Sequence, residues 1–407
     1  MRIVYLCQHF PPETGAPQIR VYEVSKELLK QGHDIQVVTA FPHHPMGVIP
    51  EEYRGKKYEK EIYDGIPVHR TWIYPSPKGT FWKRLVSYFS FTFSSFYGLQ
   101  KTGKVDVIIC NSPPIFLGLT ALFSARLKGA KFVFNVADIW PESAVKLGLV
   151  KNKMFIKMAE ILESYLYKNS WKIACATEGI QQYMLDRGIP QEKVFLLPNG
   201  VNTEFFSPNP KDESFIDQYG LQDKFVFSYG GNLGYAQGLE YILYAAKKVQ
   251  EINPDIRILI AGTGPEEQKL HDLQAELGLQ NIIFLGHLPL AEMPKLFSVT
   301  DTSIVPLRDL KLFEGARPSK IFPAAASAVP VLYCGRGESE RIVLSNEMGM
   351  VAEPENVDSI AEKMLELSAL PNEMLREMGH NARLIAEKEY SWKHIVKEVL
   401  IHLKKNY

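Results

Sequence analysis

Residues 311–343 read KLFEGARPSKIFPAAASAVPVLYCGRGESERIV. An acid (Glu314), a basic pair (Arg317 and Lys320) and a Pro-Ser helix start stand directly before an apolar run, and the strand-like PVLYC follows. Pro318 suits the first turn of a helix, where its missing N–H costs nothing, so a helix is expected to open there. Such a start offers backbone N–H groups and a partial positive charge to an anion. Lys320 adds a full charge, and Glu314 can accept hydrogen bonds from hydroxyls. Phosphate and polyol recognition side by side point to a nucleotide sugar. Taken alone, the stretch fits an ordinary helix-to-strand turn with solvated charges equally well.

Working outward, helix and strand alternate along the whole chain. RIVYLC opens as a buried strand, IRVYEVSKELLKQG has helical periodicity, and DIQVVTA is the next strand. VDVIICN, KFVFNVA and WKIACAT follow, separated by helices expected at about 115–127 and 154–167. The turn-rich PNGVNTEFFSPNP interrupts the series, which restarts with KFVFSYGG, RILIAGTG, NIIFLG, DTSIVPL and VPVLYCG. Continuous Val/Ile-rich strands between amphipathic helices predict parallel sheets covered on both faces. The expected architecture is α/β, with two doubly wound Rossmann-like domains facing across a cleft. Residues 1–200 form the first, 201–388 the second, and 389–407 a terminal helix crossing back onto the first.

Ligands of such sheets bind beyond the carboxyl ends of the strands. Three turns there are rich in small residues: His9 to Pro17 with Gly15 and Ala16, Gly230 to Gly234 with Gly231 and Asn232, and Gly262-Thr-Gly264-Pro. Small residues let the backbone approach a ligand, and a helix start receives negative charge. Arg20 lies one turn into the first helix. The second turn lacks the G-x-G-x-x-G spacing, which disfavours a nicotinamide cofactor; no cofactor is expected.

The whole-chain numbers agree with a soluble enzyme: 407 residues, 46% hydrophobic and 23% charged, with zero net charge. The charge is unevenly placed. Residues 1–200 carry 25 Lys and Arg against 17 Asp and Glu, and the remainder is acidic by the same margin. A basic first half suits an anionic partner such as phospholipid or a lipid diphosphate; nucleic acid is not expected. Cys7, Cys110, Cys175 and Cys334 sit apart in strand-like runs, as buried thiols of a cytosolic protein do. The opening MRIVYLCQHF has too short an apolar run for a secretion signal, and no stretch is long enough to cross a bilayer.

From end to end the chain resembles a family-four retaining glycosyltransferase of GT-B fold. FPPETGAP, QGHDIQVVT, PNGVNTEFF, GGNLGYAQGLE, AGTGPEEQKL and ARPSKIF match family stretches in order. VADIWPESAVKLGLV paired with GNLGYAQG resembles the bacterial enzymes of O-antigen and capsule assembly, the fucosaminyl and other N-acetylamino-sugar transferases among them. The resemblance implies a UDP-linked donor on the second domain and a lipid-linked glycan acceptor on the first. It implies that Gly15, Ala16, Gly231, Asn232, Gly264 and Ser319 approach the donor, and that Lys320 and Arg317 neutralise its diphosphate. Glu314 would bind sugar hydroxyls, and Asp138 would face the reacting sugar. Arg20, His43 and Trp140 would line the acceptor side. Transfer would retain configuration without a metal.

Three departures stand out. Where many relatives carry a second glutamate for the ribose, this chain has Phe322 or Pro323, and Glu338 or Glu340 is expected to replace it. The Arg and Lys that relatives place after the second Gly loop are Asn232 and Gln237, and a frequent histidine before Asp138 is Ala137. His43-His44 has the look of a metal pair without a third partner. The stretch 78–96, KGTFWKRLVSYFSFTFSSF, combines rings and cations as a membrane interface does, and it fits a buried helix of the first domain or a helix covering the acceptor cleft equally well. A cytoplasmic enzyme, peripheral on the inner face of the plasma membrane, is the expectation. A nucleotide-sugar epimerase and a non-catalytic nucleotide-sugar-binding scaffold remain the alternatives.

Overall fold

In the computed structural model the described residues are 1–404, except 14, 44–46, 77–80, 140–141 and 143–151. The chain divides into two units, Met1–Asn199 with Ile395–Tyr407, and Gly200–His394.

The first unit is built on eight strands: β1 (Arg2–Leu6), β2 (Asp34–Ala40), β3 (Tyr58–Tyr63), β4 (Ile66–Thr71), β5 (Val107–Ser112), β6 (Lys131–Val136), β7 (Lys172–Cys175) and β8 (Val194–Leu196). Their order is β3-β4-β2-β1-β5-β6-β7-β8, parallel except for the β3/β4 pair. Alternate residues explain the layers. Val4, Leu6, Val38, Ile108, Cys110 and Phe134 pack on one side, under four helices: α2 (Phe81–Lys101), α3 (Leu117–Lys128), α4 (Lys153–Asn169) and α5 (Glu178–Asp186). The first helix, α1 (Ala16–Lys30), packs against β2 and β4. Ile3, Tyr5, Val37 and Ile109 are buried on the other face, so the central parallel strands are covered on both faces, as strands between two helix layers are.

The β3/β4 hairpin is absent from the periodicity reading, although its turn has a plain signal. Asp64 and Gly65 take φ of 47° and 80°, the two positive values a two-residue hairpin turn requires. Its purpose is visible in Arg70, fully buried, whose guanidinium donates to Glu61 (2.6 Å) and to the carbonyl of Pro11 (2.6 Å). The hairpin thereby fixes the loop after β1.

The second unit holds β9 (Phe225–Gly230), β10 (Ile256–Ala261), β11 (Ile282–Gly286), β12 (Thr302–Pro306), β13 (Val331–Cys334) and β14 (Gly349–Ala352), all parallel, in the order β11-β10-β9-β12-β13-β14. Its helices are α6 (Glu213–Tyr219), α7 (Leu239–Ile252), α8 (Glu267–Leu277), α9 (Met293–Ser298), α10 (Ile321–Ala326), α11 (Glu338–Ser345), α12 (Val357–Ala369) and α13 (Asn372–Lys388). In each sheet the chain order reverses at the first strand, at β1 between β2 and β5 and at β9 between β10 and β12. These are the switch points beyond which ligands of doubly wound sheets sit.

One expected boundary moves. The helix expected from Pro318 begins at Ile321 and runs six residues; Ser319 and Lys320 form the turn before it, with the Ile321 N–H on the Pro318 carbonyl at 3.2 Å. So short a helix is a weak source of N-terminal charge. Pro323 falls in its first turn, where a proline needs no N–H partner, which is how the chain tolerates it. The last helix, α14 (Trp392–Lys404), belongs to the first unit from Ile395 onward, with His402 stacked on Phe195 at 5.0 Å between ring centres. All four cysteines are buried thiols, and burial pushes Cys7 and Cys175 up to about 12. Among the described residues no helix is long and apolar enough to cross a membrane.

Candidate functional site

In the second unit the loop after β9 is held by interlocking glycines. Gly231 has φ of 148°, and a β-carbon there would collide with the Cε of Lys320. One on Gly262 would strike the Gly231 carbonyl, and one on Gly264 the Leu233 carbonyl. The loops meet through Gly231 N–H to Ala261 (2.8 Å), Leu233 N–H to Thr263 (2.9 Å) and Glu266 N–H to Leu233 (3.0 Å). Gly264, expected at the donor, thus has a sufficient reason in loop-to-loop packing. Asn232 is exposed, and its carbonyl accepts the Tyr229 hydroxyl at 2.6 Å.

Lys320 lies over this loop, its Nζ 5.4 Å from the centre of the Tyr229 ring. Among the described residues no carboxylate pairs with it. Burial without a counter-charge pulls its pKa down to about 8. A desolvated, unpaired ammonium beside glycine backbone at a switch point is an arrangement that an anion completes.

The other charges of the stretch are placed differently from expectation. Arg317, expected at the diphosphate, and Glu338, expected at the ribose, are both buried and paired with each other through Nε and Oε1. Each charge compensates the desolvation of the other, so neither is presented to a ligand. Glu340, the alternative ribose group, closes a cap on the Gly337 N–H at 2.9 Å. Gly337 (φ 88°) lies so close to the Glu314 carbonyl that a β-carbon would clash, and the Glu338 N–H donates to that carbonyl at 2.7 Å. These contacts fix the backbone of Glu314, whose side chain is exposed and bonded to no described residue. Ser319 is half-buried.

Arg308 is a further member of the site that sequence reasoning misses. Buried after β12, it donates to Glu355 (2.6 Å), Glu240 and the Tyr235 carbonyl (2.7 Å), with its Cζ 4.1 Å from the Tyr235 ring centre. It anchors the 235–238 end of the Gly-rich loop, and both carboxylates hold its pKa above the usual arginine value. No local motif announces it; its partners come from three separate segments.

In the first unit the loop after β1 meets the loop after β2. Glu13 is buried, its Oε2 accepting from His9 Nδ1 (2.8 Å) and its Oε1 from the His43 backbone N–H (2.7 Å). His43 Nδ1 lies 2.9 Å from the Phe41 carbonyl, and the rings of His9 and His43 stack at 5.1 Å. Burial pushes the Glu13 carboxyl up, but the His9 hydrogen bond, the charges of both imidazoles and the His43 N–H outweigh it, so the pKa falls below its usual value. The histidine pair expected to lack a third partner therefore has His9 and Glu13, although His44 lies outside the described residues. Donor atoms of His9, Glu13 and His43 lie within 4.8 Å of one another, a spacing that can hold a metal. Both Glu13 oxygens already accept N–H groups, so the arrangement present is a hydrogen-bonded carboxylate between two imidazoles.

Arg20, expected to bind acceptor, is buried instead. It donates to Asn135 Oδ1 (3.2 Å) and the Leu197 carbonyl, and burial lowers its pKa. Asn135 also donates to the Tyr5 hydroxyl (2.8 Å) and to Asn111, which faces it across β5/β6. This buried polar cluster ties α1 to three strands. Gly15 (φ 154°) precedes α1, and Ala16 and Pro17 open it. Asp138 is exposed two residues beyond β6, and Trp140 lies outside the described residues.

Comparison with known proteins accounts for both units. The family described as Glycosyl transferase 4-like domain matches residues 15–200, and Glycosyl transferases group 1 matches 211–385. WcaI of Escherichia coli, a putative glycosyl transferase of colanic acid biosynthesis, is 25% identical over 411 residues, covering 98% of each chain. A phosphatidylinositol N-acetylglucosaminyltransferase chain of Arabidopsis thaliana is 24% identical over 409 residues, covering 98% of this chain and 81% of its own. The solved structure of Anabaena HepE in complex with UDP and glucose superposes with a TM-score of 0.72 at 16% identity, over 100% of both chains. With one family spanning each unit and the same two-domain architecture, the chain is a group 1 glycosyltransferase of GT-B fold.

Proposed function

We propose that the protein transfers a sugar, an N-acetylated hexosamine, from a UDP-linked donor to a lipid-linked glycan in cell-surface polysaccharide assembly. The observation that carries this reading is Lys320, desolvated, without a carboxylate partner among the described residues and packed on Gly231 at the β9 switch point. A diphosphate would supply its missing counter-charge, with N–H groups of the Gly231-Asn232 turn as further donors. As the bond from sugar to phosphate breaks, charge grows on the leaving diphosphate, and a fixed cation in a water-poor site favours that state over the ground state. Glu314, held by Gly337 and Glu338 through its backbone, takes sugar hydroxyls.

UDP is supported by HepE, solved with UDP and glucose. The name of the Arabidopsis relative supports the acetylated aminosugar and a lipid acceptor, and that of WcaI the assembly of a surface polysaccharide. Transfer is read as retaining, with a donor phosphate oxygen taking the acceptor proton and no metal needed. The enzyme works at the cytoplasmic face of the membrane. With Arg317 bound to Glu338, neutralisation rests on Lys320.

A thermal-shift panel of nucleoside diphosphates and their sugars, with and without chelator, tests the reading. Ligand that binds only the folded state raises Tm. A chelator-insensitive rise with UDP and one UDP-sugar, lost in Lys320→Met, is expected; no rise with any nucleotide overturns it.

A further inference from the structure

We infer that the outer face of α2, α3 and α4 is a docking surface for an anionic lipid bilayer. The three helices lie side by side on one face of the first unit's sheet, α2 joined to α3 by the Phe96–Phe123 ring contact at 5.6 Å. Each buries one side in the core, and each presents a second apolar stripe outward. On α2 it is Val86, Phe89, Phe93 and Tyr97, at helical spacing, with Phe93 76% exposed. On α3 it is Leu119, Phe123 and Leu127, so that helix is apolar on both sides. On α4 it is Met154, Met158, Ile161 and Tyr165, with Met158 62% exposed.

A large side chain buries about 150–250 Å² when covered, so these partly exposed residues leave on the order of 1,000 Å² of apolar surface in water. That is above the few hundred Å² of the largest patch on most monomers. The aromatic stretch 78–96 covers only part of α2; α3 and α4 more than double the surface it offers.

The surrounding charges select the occupant. Lys and Arg number three on α2, two on α3 and three on α4, against Glu160 and Glu163 alone. Glu163 is buried and paired with Arg187 at 2.6 Å, which leaves one outward acid. A second copy docking by two-fold symmetry would set this cationic rim against itself. Apolar rings within a cationic rim match acyl chains below anionic headgroups. Trp72 and Tyr74, both exposed and tied to α2 through Ser94 and Ser90, add the amphipathic rings of a membrane boundary.

The inference rests on a lipid-linked acceptor for its purpose, but it can be tested without donor or acceptor, so its failure and that of the transfer reading are distinguishable. The full chain is floated with vesicles of phosphatidylcholine alone and mixed with phosphatidylglycerol, at low and high salt. Binding to the mixed vesicles, weakened by salt, is expected. Phe93→Ser/Phe123→Ser/Met158→Ser should cut it at least about tenfold with Tm and UDP binding kept. Lys83→Glu/Lys153→Glu/Lys157→Glu should remove the salt-sensitive part. Wild type that does not float, or a Ser variant that floats equally, overturns the inference. So does a lipid-free dimer that the Ser variant abolishes.

Discussion

Gly231 and Lys320 occupy one another's space. The missing β-carbon of Gly231 is where the Lys320 stem runs, and the ammonium beyond it stands 5.4 Å over the Tyr229 ring. The loop after β9 and the turn before α10 therefore form one unit. Gly231→Ala adds strain at φ 148°, on the order of 1–3 kcal/mol, and displaces the lysine. Isothermal titration should show UDP affinity reduced at least about tenfold, with the protein still folded.

Lys320→Met separates binding from stability. A lysine whose folded pKa is lowered to about 8 from 10.5 carries a cost to folding, fully present below pH 8 and lost as pH rises to 10.5. The variant should therefore match or exceed wild type in urea stability at about pH 7, and its advantage should shrink towards about pH 10. Transfer should fall by orders of magnitude. A variant that is less stable at neutral pH and still active would contradict the assignment.

Glu314→Ala gives the same split by another route. The side chain is exposed and bonded to no described residue, and its backbone contacts survive the change. Tm should hold within a degree or so while transfer drops by roughly two orders of magnitude or more.

Arg317 and Glu338 should behave as structure. Removing either one strands a buried charge, which costs about 3–5 kcal/mol; removing both, as Arg317→Met/Glu338→Leu, should recover much of that loss. UDP affinity per folded molecule should be nearly unchanged in the double variant. A large loss there would return Arg317 to the ligand.

Much of the fold is legible because buried parallel strands write themselves as Val/Ile runs. DIQVVTA coincides with β2, and the other runs lie within a few residues of their strands. The β3/β4 hairpin escapes because one of its strands, YEKEIY, is largely polar and only the Asp64-Gly65 turn marks it. The candidate site is legible as a set of loops and much less so as roles. Which cation meets a ligand depends on which one already has a carboxylate, and Arg317 finds Glu338 21 residues away. Arg20 reads as an acceptor-binding residue one turn into the first helix, but that turn aims it inward at Asn135. Arg308 and Glu13 depend on partners brought from other segments, and spacing does not display those.

Glu13 offers the sharpest test of the first unit. Its pKa is depressed by His9 and His43 despite burial, so it contributes stability above the unfolded carboxyl pKa and that contribution is lost as pH falls through its lower folded value. Glu13→Gln keeps the shape and removes the charge. At neutral pH it should cost on the order of 1–3 kcal/mol in urea unfolding, because one of the N–H donors loses its anionic acceptor. The difference from wild type should narrow as the pH falls through the acid range in which wild-type Glu13 takes up its proton. Adding zinc or a chelator should leave both Tm values unchanged if the carboxylate serves the imidazoles through hydrogen bonds. A zinc-dependent rise in wild type, absent from the variant, would make His9, Glu13 and His43 a metal site instead.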